Sequence, residues 1–188
     1  MLPSLLRLRR PSAPDLQAVL DRQGDQDVTY AGVGGTISGQ VPPGYRSEHL
    51  SAVIGHGDAH FDSARGALAD WRPQRGSGFA VVTDGPIAEG TTVALAVPLP
   101  VGWVLAACRI VAVIDDADSY GFAYGTLPEH PESGEELFAV DRHPDGSVTF
   151  RISVFWKPHG FLPRVGSPVV SVLQRRGTRA YLDAMRLH

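Results

Sequence analysis

The sequence contains one cysteine, one lysine and no long apolar run. Cys108 has no partner for an intramolecular disulfide and lies in the apolar run 105–114, so we expect a buried, inert thiol. That run is far shorter than the roughly 20 apolar residues of a membrane helix, and Arg109 interrupts it. The basic residues near the N-terminus follow a short apolar patch, which is the reverse of a signal peptide. We therefore expect a cytoplasmic protein without a membrane segment.

Strong positive charge and ligand-binding fingerprints are also missing. The net charge of -3 argues against nucleic acid as a partner, because nonspecific binding needs a basic surface. Gly32 and Gly34 lack the third glycine and the helix of a nucleotide fingerprint, so we expect no cofactor. His56 and His60 have a metal-ligand spacing, but a third ligand would have to come from a distant residue such as His130, and we predict no metal site. The sequence leaves the oligomeric state open.

What the chain does contain is abundant glycine and proline, 21 and 15 of 188 residues, which favours many turns between short strands. The length is typical of one domain, here predicted as 1–188, with an N-terminal helix and loop extension at 1–45 and the core at 46–188.

Two helices are predicted before the main run of strands. Ser12 and Asp15 resemble a capping box, with Pro14 in the first turn, and predict a helix over 15–22. Residues 30–45 are expected to form a loop, and residues 49–54 an extended segment. A second helix is predicted from an Asp58 cap to Trp71. Its apolar face consists of Phe61, Ala64, Leu68 and Trp71, and Pro73 is expected to stop it.

Six consecutive strands and a long final helix follow. Apolar residues then recur with a period of two, most clearly over 148–156. Asp145 and Gly146 predict a tight turn between the fifth and sixth strands. Pro168 opens a C-terminal helix with an apolar stripe. This order predicts an α+β helix-grip (START-like) fold. In such a fold a bent antiparallel sheet of six to seven strands wraps around the long C-terminal helix and encloses a cavity.

Several segments resemble one known family. The longest is 124–136, which reads Tyr-Gly-Thr-Leu-Pro-Glu-His-Pro-Glu-Ser-Gly-Glu-Glu and is called the central motif below. The other matching positions are Tyr30, Val33, Gly34, Thr36, Pro43, Gly44, Tyr45, Ile54, Gly55, Gly57, Phe61, Trp71, Phe138, Gln174 and Tyr181. On these residues the chain is similar to a bacterial and plant family catalogued as a domain of unknown function. The resemblance implies no particular activity. The resemblance fails at residues 156–158. Members of the family often have a serine before a basic residue and a proline, and this chain has Trp-Lys-Pro there.

The central motif has two interpretations. In one, His130 and Ser133 satisfy backbone groups inside a rigid loop. In the other, Thr126, His130 and one glutamate line the mouth of a cavity. Glu135 and Glu136 are neighbours in a strand and must point to opposite faces. We expect Glu136 to face the cavity, with a raised pKa unless a cation pairs with it.

Arg109 is the candidate cation, because both faces of its predicted strand are apolar and an unpaired buried charge is costly. Three roles remain open for it. It pairs with Glu136 in the interior, it binds an acidic group of a ligand, or it reaches solvent at the edge of the sheet.

The leading functional hypothesis is the binding of a hydrophobic small molecule with one polar end between the sheet and the C-terminal helix. An alternative is an enzyme that catalyses a proton-transfer step such as cyclisation, isomerisation or dehydration there, with His130 or Glu136 as the acid–base group. A third is a structural or interaction protein whose core is filled. The predicted ligand-binding residues are Arg109, Tyr124, Thr126, His130, Glu136, Phe138, Phe150 and Trp156.

Overall fold

One antiparallel sheet organises the chain in the computed structural model, which describes residues 6–159 and 179–186. The strands are β1 (Leu6–Arg7), β2 (Arg46–His56), β3 (Ala80–Thr83), β4 (Thr92–Pro98), β5 (Trp103–Asp115), β6 (Ser119–Thr126), β7 (Glu132–Arg142) and β8 (Ser147–Pro158). Their order across the sheet is β2-β8-β7-β6-β5-β4-β3, and β1 pairs with β5. The predicted antiparallel sheet is confirmed, and the two-residue β1 is an addition to it.

The sheet has an inner face that packs against helices α3 (Asp58–Ala69), α4 (Arg72–Gly76) and α5 (residues 179–185). The apolar face of α3 is confirmed, since Phe61, Ala64 and Leu68 are buried in the core. From α5, Tyr181 and Met185 enter the same core. The predicted C-terminal helix is therefore confirmed over 179–185. Its start at Pro168, its apolar residues Val169, Val172 and Leu173, and Gln174 lie outside the described residues.

The opposite, outer face is covered by the N-terminal segment. Helix α1 (Ala13–Gln23) begins at a complete capping box between Ser12 and Asp15, as predicted, and Gly24 caps its end. Leu16, Val19 and Leu20 pack against Leu105 and other small apolar side chains of β4 and β5. The short helix α2 (Gly35–Ser38) contacts β7 and β8 on this face. The N-terminal extension thus covers the outer face of the sheet.

Two predicted helix signals are wrong in detail. Gly57, in a positive-φ conformation, precedes α3, and Asp58 is its first residue. The carboxylate of Asp58 pairs with Arg142 at 2.5 Å and makes no cap. The helix predicted to stop at Pro73 ends at Ala69. Trp71 then takes a left-handed conformation (φ 60°), and Pro73 lies in the first turn of the next helix, α4. This turn places the Trp71 ring in the core.

The described helices show no candidate membrane span, since none combines the required length and apolar character.

A glycine in the central motif permits close strand packing, and this generates our first prediction. A Cβ at Gly134 would lie 2.0 Å from the backbone oxygen of Phe155. We expect Gly134→Ala to lower the free energy of unfolding by about 2–4 kcal/mol, because the backbone of β8 must move. Urea unfolding measures this loss. The matched control is Gly66→Ala in α3, where a Cβ meets no neighbouring atom and should add about 0.5–1 kcal/mol. Equal stabilities of the two variants would contradict the close packing of Gly134 against β8.

Candidate functional site

Glu135 of the central motif binds the N-terminal loop on the outer face. Its carboxylate is buried and accepts hydrogen bonds from the Tyr30 hydroxyl at 2.7 Å and from the Gly34 and Thr36 backbone N–H groups at 2.8 and 2.9 Å. The Thr36 hydroxyl donates a further bond. The glycines of this loop therefore form an anion-binding turn that is occupied by the chain's own carboxylate.

Other motif residues strengthen the same junction. Gly125 lies against Tyr30, and a Cβ there would come within 2.3 Å of the Tyr30 hydroxyl oxygen. The Ser133 hydroxyl donates to the Thr29 carbonyl at 3.0 Å and lies 3.1 Å from the Tyr45 hydroxyl. The motif thus joins the two earlier segments that carry the family resemblance, around Tyr30 and Tyr45.

Thr126 and His130 make hydrogen bonds within the protein. The Thr126 hydroxyl lies 2.7 Å from that of Thr29 and accepts from the Gly134 N–H at 3.0 Å. His130 Nδ1 accepts from the Glu132 N–H at 3.0 Å. Burial lowers the pKa of His130 to about 4, so this ring is neutral at pH 7. These contacts match the interpretation of the motif as a satisfied loop and offer no support for a cavity role.

The prediction that Arg109 faces the cavity is wrong. Its guanidinium donates to the carbonyl of Gln26 at 2.7 Å and to that of Gly24, just after the end of α1. Arg109 shares the outer face with Leu105 and α1, whereas Glu136 lies on the inner face. The two side chains are on opposite sides of the sheet, which rules out the predicted ion pair with Glu136, whereas the part-buried Arg109 does keep some contact with solvent. The cation instead satisfies carbonyl groups that the end of α1 leaves available.

Glu136 faces inward, as predicted from its position two residues before Phe138 in the same strand. Strand register places Glu48, Val154, Glu136 and Tyr124 in one row across four neighbouring strands. The Tyr124 hydroxyl donates to the Glu136 carboxylate at 2.9 Å. In the described part of the chain no arginine, lysine or histidine forms an ion pair with Glu136.

The environment of this pair shifts its acid–base properties. Burial and, to a smaller extent, the charges of Glu132 and Glu48 outweigh the hydrogen bond from Tyr124 and together raise the pKa of Glu136 to about 7. Burial and the charge of Glu136 also raise the pKa of Tyr124 and Tyr181 well above the ordinary value. Glu136 is therefore divided between its neutral and charged forms near pH 7.

Aromatic side chains surround this polar pair on the inner face. Phe138 and Phe150 are fully buried and stacked, with ring centroids 6.4 Å apart. Tyr181 of α5 packs edge-on against Phe138 at 5.3 Å. Trp71 is stacked with Tyr124 at 6.4 Å and an interplanar angle of 12°. Sequence reasoning placed Trp71 on a helix face but gave it no part in the site, because its position depends on the left-handed turn before α4.

Trp156 and Glu48 extend the site toward the edge of the sheet. Trp156 is part-buried and pairs in register with Gly134 and Arg46, next to the row that contains Glu136. Glu48 was not predicted as a site residue. Its period-two spacing with Leu50 and Ile54 is a sequence signal that could have placed it on the inner face.

No group of three histidine, cysteine, aspartate or glutamate side chains that could hold a metal ion occurs within residues 6–159 and 179–186. Cys108 is buried as predicted, and burial raises the pKa of its thiol.

A sheet whose inner face packs against a C-terminal helix defines a helix-grip protein, and similar solved structures have this fold. The aromatase/cyclase Zhui of a Streptomyces strain gives a TM-score of 0.56 at 11% identity, over 76% of this chain and 92% of that one. Ara h 8.0201 gives 0.51 at 15% identity, over 76% and 96%. The predicted α+β helix-grip class is confirmed.

The chain belongs to the family described as "Domain of unknown function (DUF1990)", which matches residues 29–184. A UPF0548 protein of Deinococcus radiodurans is 32% identical over 190 residues, with 93% of each chain covered. A UPF0548 protein of Arabidopsis thaliana is 27% identical over 195 residues, with 95% of each covered. The predicted membership of a bacterial and plant family is therefore confirmed.

The first prediction from the site concerns Glu135. We expect Glu135→Gln to lower the free energy of unfolding by about 2–4 kcal/mol, because an amide turns a donor toward groups that are themselves donors. Chemical unfolding followed by tryptophan fluorescence measures the loss. The control is Glu129→Gln, which breaks a 2.9 Å ion pair with the half-exposed Arg22 and should cost less than about 1 kcal/mol. A loss of stability for Glu135→Gln as small as that of the control would show that the hydrogen bonds of Glu135 do not hold the N-terminal loop on the sheet.

The stability of the protein should depend on pH through Glu136 and His130. The folded protein retains the Glu136 proton up to about pH 7, whereas an unfolded glutamate releases it near 4.5, so this group makes stability fall as pH rises across that interval. His130 has the opposite effect. Its pKa is about 4 when folded and 6.5 when unfolded, so stability rises with pH between these values.

We expect Glu136→Gln to remove the fall in stability with rising pH and to leave the rise caused by His130 unchanged. From about pH 4 to about pH 8 the variant should gain up to about 3 kcal/mol relative to the wild type. Thermal unfolding across this range measures the difference, and parallel profiles for the two proteins would contradict it. His130→Asn is the complementary variant and should show the fall without the rise.

Proposed function

We propose that this protein binds a hydrophobic small molecule with one polar end, between the inner face of the sheet and the C-terminal helix. The observation that carries the proposal is the Glu136–Tyr124 pair, which brings a carboxyl group and a hydroxyl to an otherwise aromatic and aliphatic surface. A mostly apolar wall with a few polar groups is typical of small-molecule sites. The residues proposed to contact the ligand are Tyr124, Glu136, Phe138, Phe150 and Trp156.

The arrangement supports a definite orientation for the ligand. Its polar end would lie against Glu136 and Tyr124, and its apolar body against the Phe138 and Phe150 rings. Cytoplasm is the proposed location, which agrees with a single, buried cysteine that needs no oxidising compartment.

A second candidate function is an enzyme that transfers a proton in the same place. It is favoured by the pKa of Glu136, which is raised to about 7, the value at which a general acid–base group works best near neutral pH. A structural neighbour named as an aromatase/cyclase supports chemistry on this fold, although the fold alone assigns no activity. Glu136 is the proposed acid–base residue. His130 is not, because its Nδ1 already accepts a backbone hydrogen bond.

Tyr124→Phe tests the binding site, because it removes the hydroxyl that contacts Glu136 and keeps the ring. We expect the affinity for the uncharged dye N-phenylnaphthylamine to change by less than twofold, since the dye fills the apolar part of the site. We also expect the amount of ligand that copurifies with the protein, seen by native mass spectrometry, to fall by about fivefold or more.

Tyr120→Phe is the matched control. Tyr120 belongs to the same strand and the same face, but its ring packs at the other end, under the Arg65 guanidinium. This variant should retain ligand and dye as the wild type does. A wild-type protein that carries no ligand and does not bind the dye would refute the site and leave a filled-core structural protein.

A further inference from the structure

The C-terminal helix brings one more hydroxyl group to the Glu136–Tyr124 pair. Tyr181 of α5 is buried, and its ring packs edge-on against Phe138 with 5.3 Å between the ring centroids. The Tyr124 ring packs on the same Phe138 ring at 5.5 Å. Two tyrosines, one from β6 and one from α5, therefore meet at one phenylalanine of the inner face.

The hydroxyl groups of the two tyrosines also interact directly. Burial, followed by the charge of Glu136, raises the pKa of Tyr181, and a hydrogen bond with Tyr124 opposes this rise. The Tyr124 hydroxyl has a single proton, which it donates to the Glu136 carboxylate at 2.9 Å. Its oxygen is therefore left as the acceptor for the Tyr181 hydroxyl. The three groups form a hydrogen-bonded chain that runs from α5 to the sheet and ends at Glu136.

Neighbouring elements keep Tyr181 in this position. The Phe79 ring packs edge-on against the Tyr181 ring at 5.7 Å. Helix α4 holds the last turn of α5, since the Arg72 Nε donates to the Ala184 carbonyl at 2.8 Å. Gly76 permits the close approach of the two helices, because a Cβ there would come within 2.6 Å of the Ala184 Cβ. The Tyr181 hydroxyl is therefore presented to the sheet by a helix that is itself held in place.

This chain has a consequence for the hydrogen bond at Glu136. A hydroxyl group that accepts a hydrogen bond becomes a stronger donor, because the bonds of a chain polarise one another. The Tyr181 hydroxyl should therefore strengthen the bond from Tyr124 to Glu136. It should also fix the direction of the Tyr124 proton, which can otherwise rotate about the C–O bond away from the carboxylate.

We propose that Tyr181 is a positioning residue of the ligand site. Its hydroxyl holds that of Tyr124 on one carboxyl oxygen of Glu136, Oε2, and leaves the other oxygen, Oε1, to contact the polar end of the ligand. The inference rests on the proposed function and adds a group of the C-terminal helix to the polar end of the site. Tyr181 acts through Tyr124, so its effect on Glu136 requires the Tyr124 hydroxyl.

The test compares Tyr181→Phe, Tyr124→Phe and the double variant, in which hydroxyl groups are removed and the rings are kept. The pKa of Glu136 is followed by NMR of isotope-labelled carboxyl groups. We expect it to rise by about 0.5 in Tyr181→Phe, because a weaker hydrogen bond stabilises the carboxylate less. The affinity for naphthol, an aromatic probe with one hydroxyl group, should fall by about twofold to threefold in calorimetric titrations. In the Tyr124→Phe background, Tyr181→Phe should change neither quantity.

Tyr120→Phe again serves as the matched control. It removes a hydroxyl from the strand of Tyr124 but at the end that packs under Arg65, so the pKa of Glu136 and naphthol binding should stay as in the wild type. A Tyr181→Phe variant with a lower Tm and an unchanged pKa of Glu136 would show that Tyr181 only packs the helix, and this result overturns the proposal.

The remaining outcomes separate this inference from the function on which it rests. An equal change in the pKa of Glu136 with and without the Tyr124 hydroxyl overturns the positioning role, while naphthol binding by the wild type leaves the proposed function standing. A wild-type protein that carries no ligand and binds neither naphthol nor N-phenylnaphthylamine overturns the proposed function. The pKa of Glu136 then still decides whether Tyr181 acts on that carboxyl group.

Discussion

The opposite directions of Glu135 and Glu136 are the constraint on which the candidate site depends. Glu135 is held on the outer face by Tyr30, Gly34 and Thr36. A shift of one residue in the register of β7 would bury those donors without an acceptor and turn Glu136 outward. The outer contacts therefore fix the inner side chain, although none of them lies near a possible ligand.

This dependence explains why a motif that looks functional is largely structural. Gly125 and Gly134 allow neighbouring backbone and the Tyr30 ring to approach, and Ser133 ties the loop to residue 29. Each of these residues has a steric or hydrogen-bonding reason that requires no ligand. Tyr124 and Glu136, at the two ends of the motif, are left as the pair that the outer junction does not use. A motif can thus fix the geometry of the inner face mainly through residues on the outer face.

The sequence predicted the fold better than the site, for reasons that individual residues make clear. Period-two patterns and the Ser12 capping box are local, and they gave the strands and α1 correctly. The alternation of side chains along one strand was enough to predict that Glu136 faces inward. The partner of Arg109 could not be predicted, because Gly24 and Gln26 lie more than eighty residues away and the path of the N-terminal segment over the sheet is not encoded in any local pattern. The same holds for Trp71, whose place in the core depends on one left-handed residue.

The two faces of the sheet also differ in how their charged groups are paired. Arg142 pairs with carboxylates at the rim of the sheet, and Arg109 donates to backbone carbonyls on the outer face. Among the described residues no cation pairs with Glu136, and burial together with the charges of Glu132 and Glu48 raises its pKa, so the group can donate as well as accept a hydrogen bond. A carboxyl that can be neutral is suited to a hydroxyl or carbonyl partner. A paired cation there would have fixed its charge and favoured an anion.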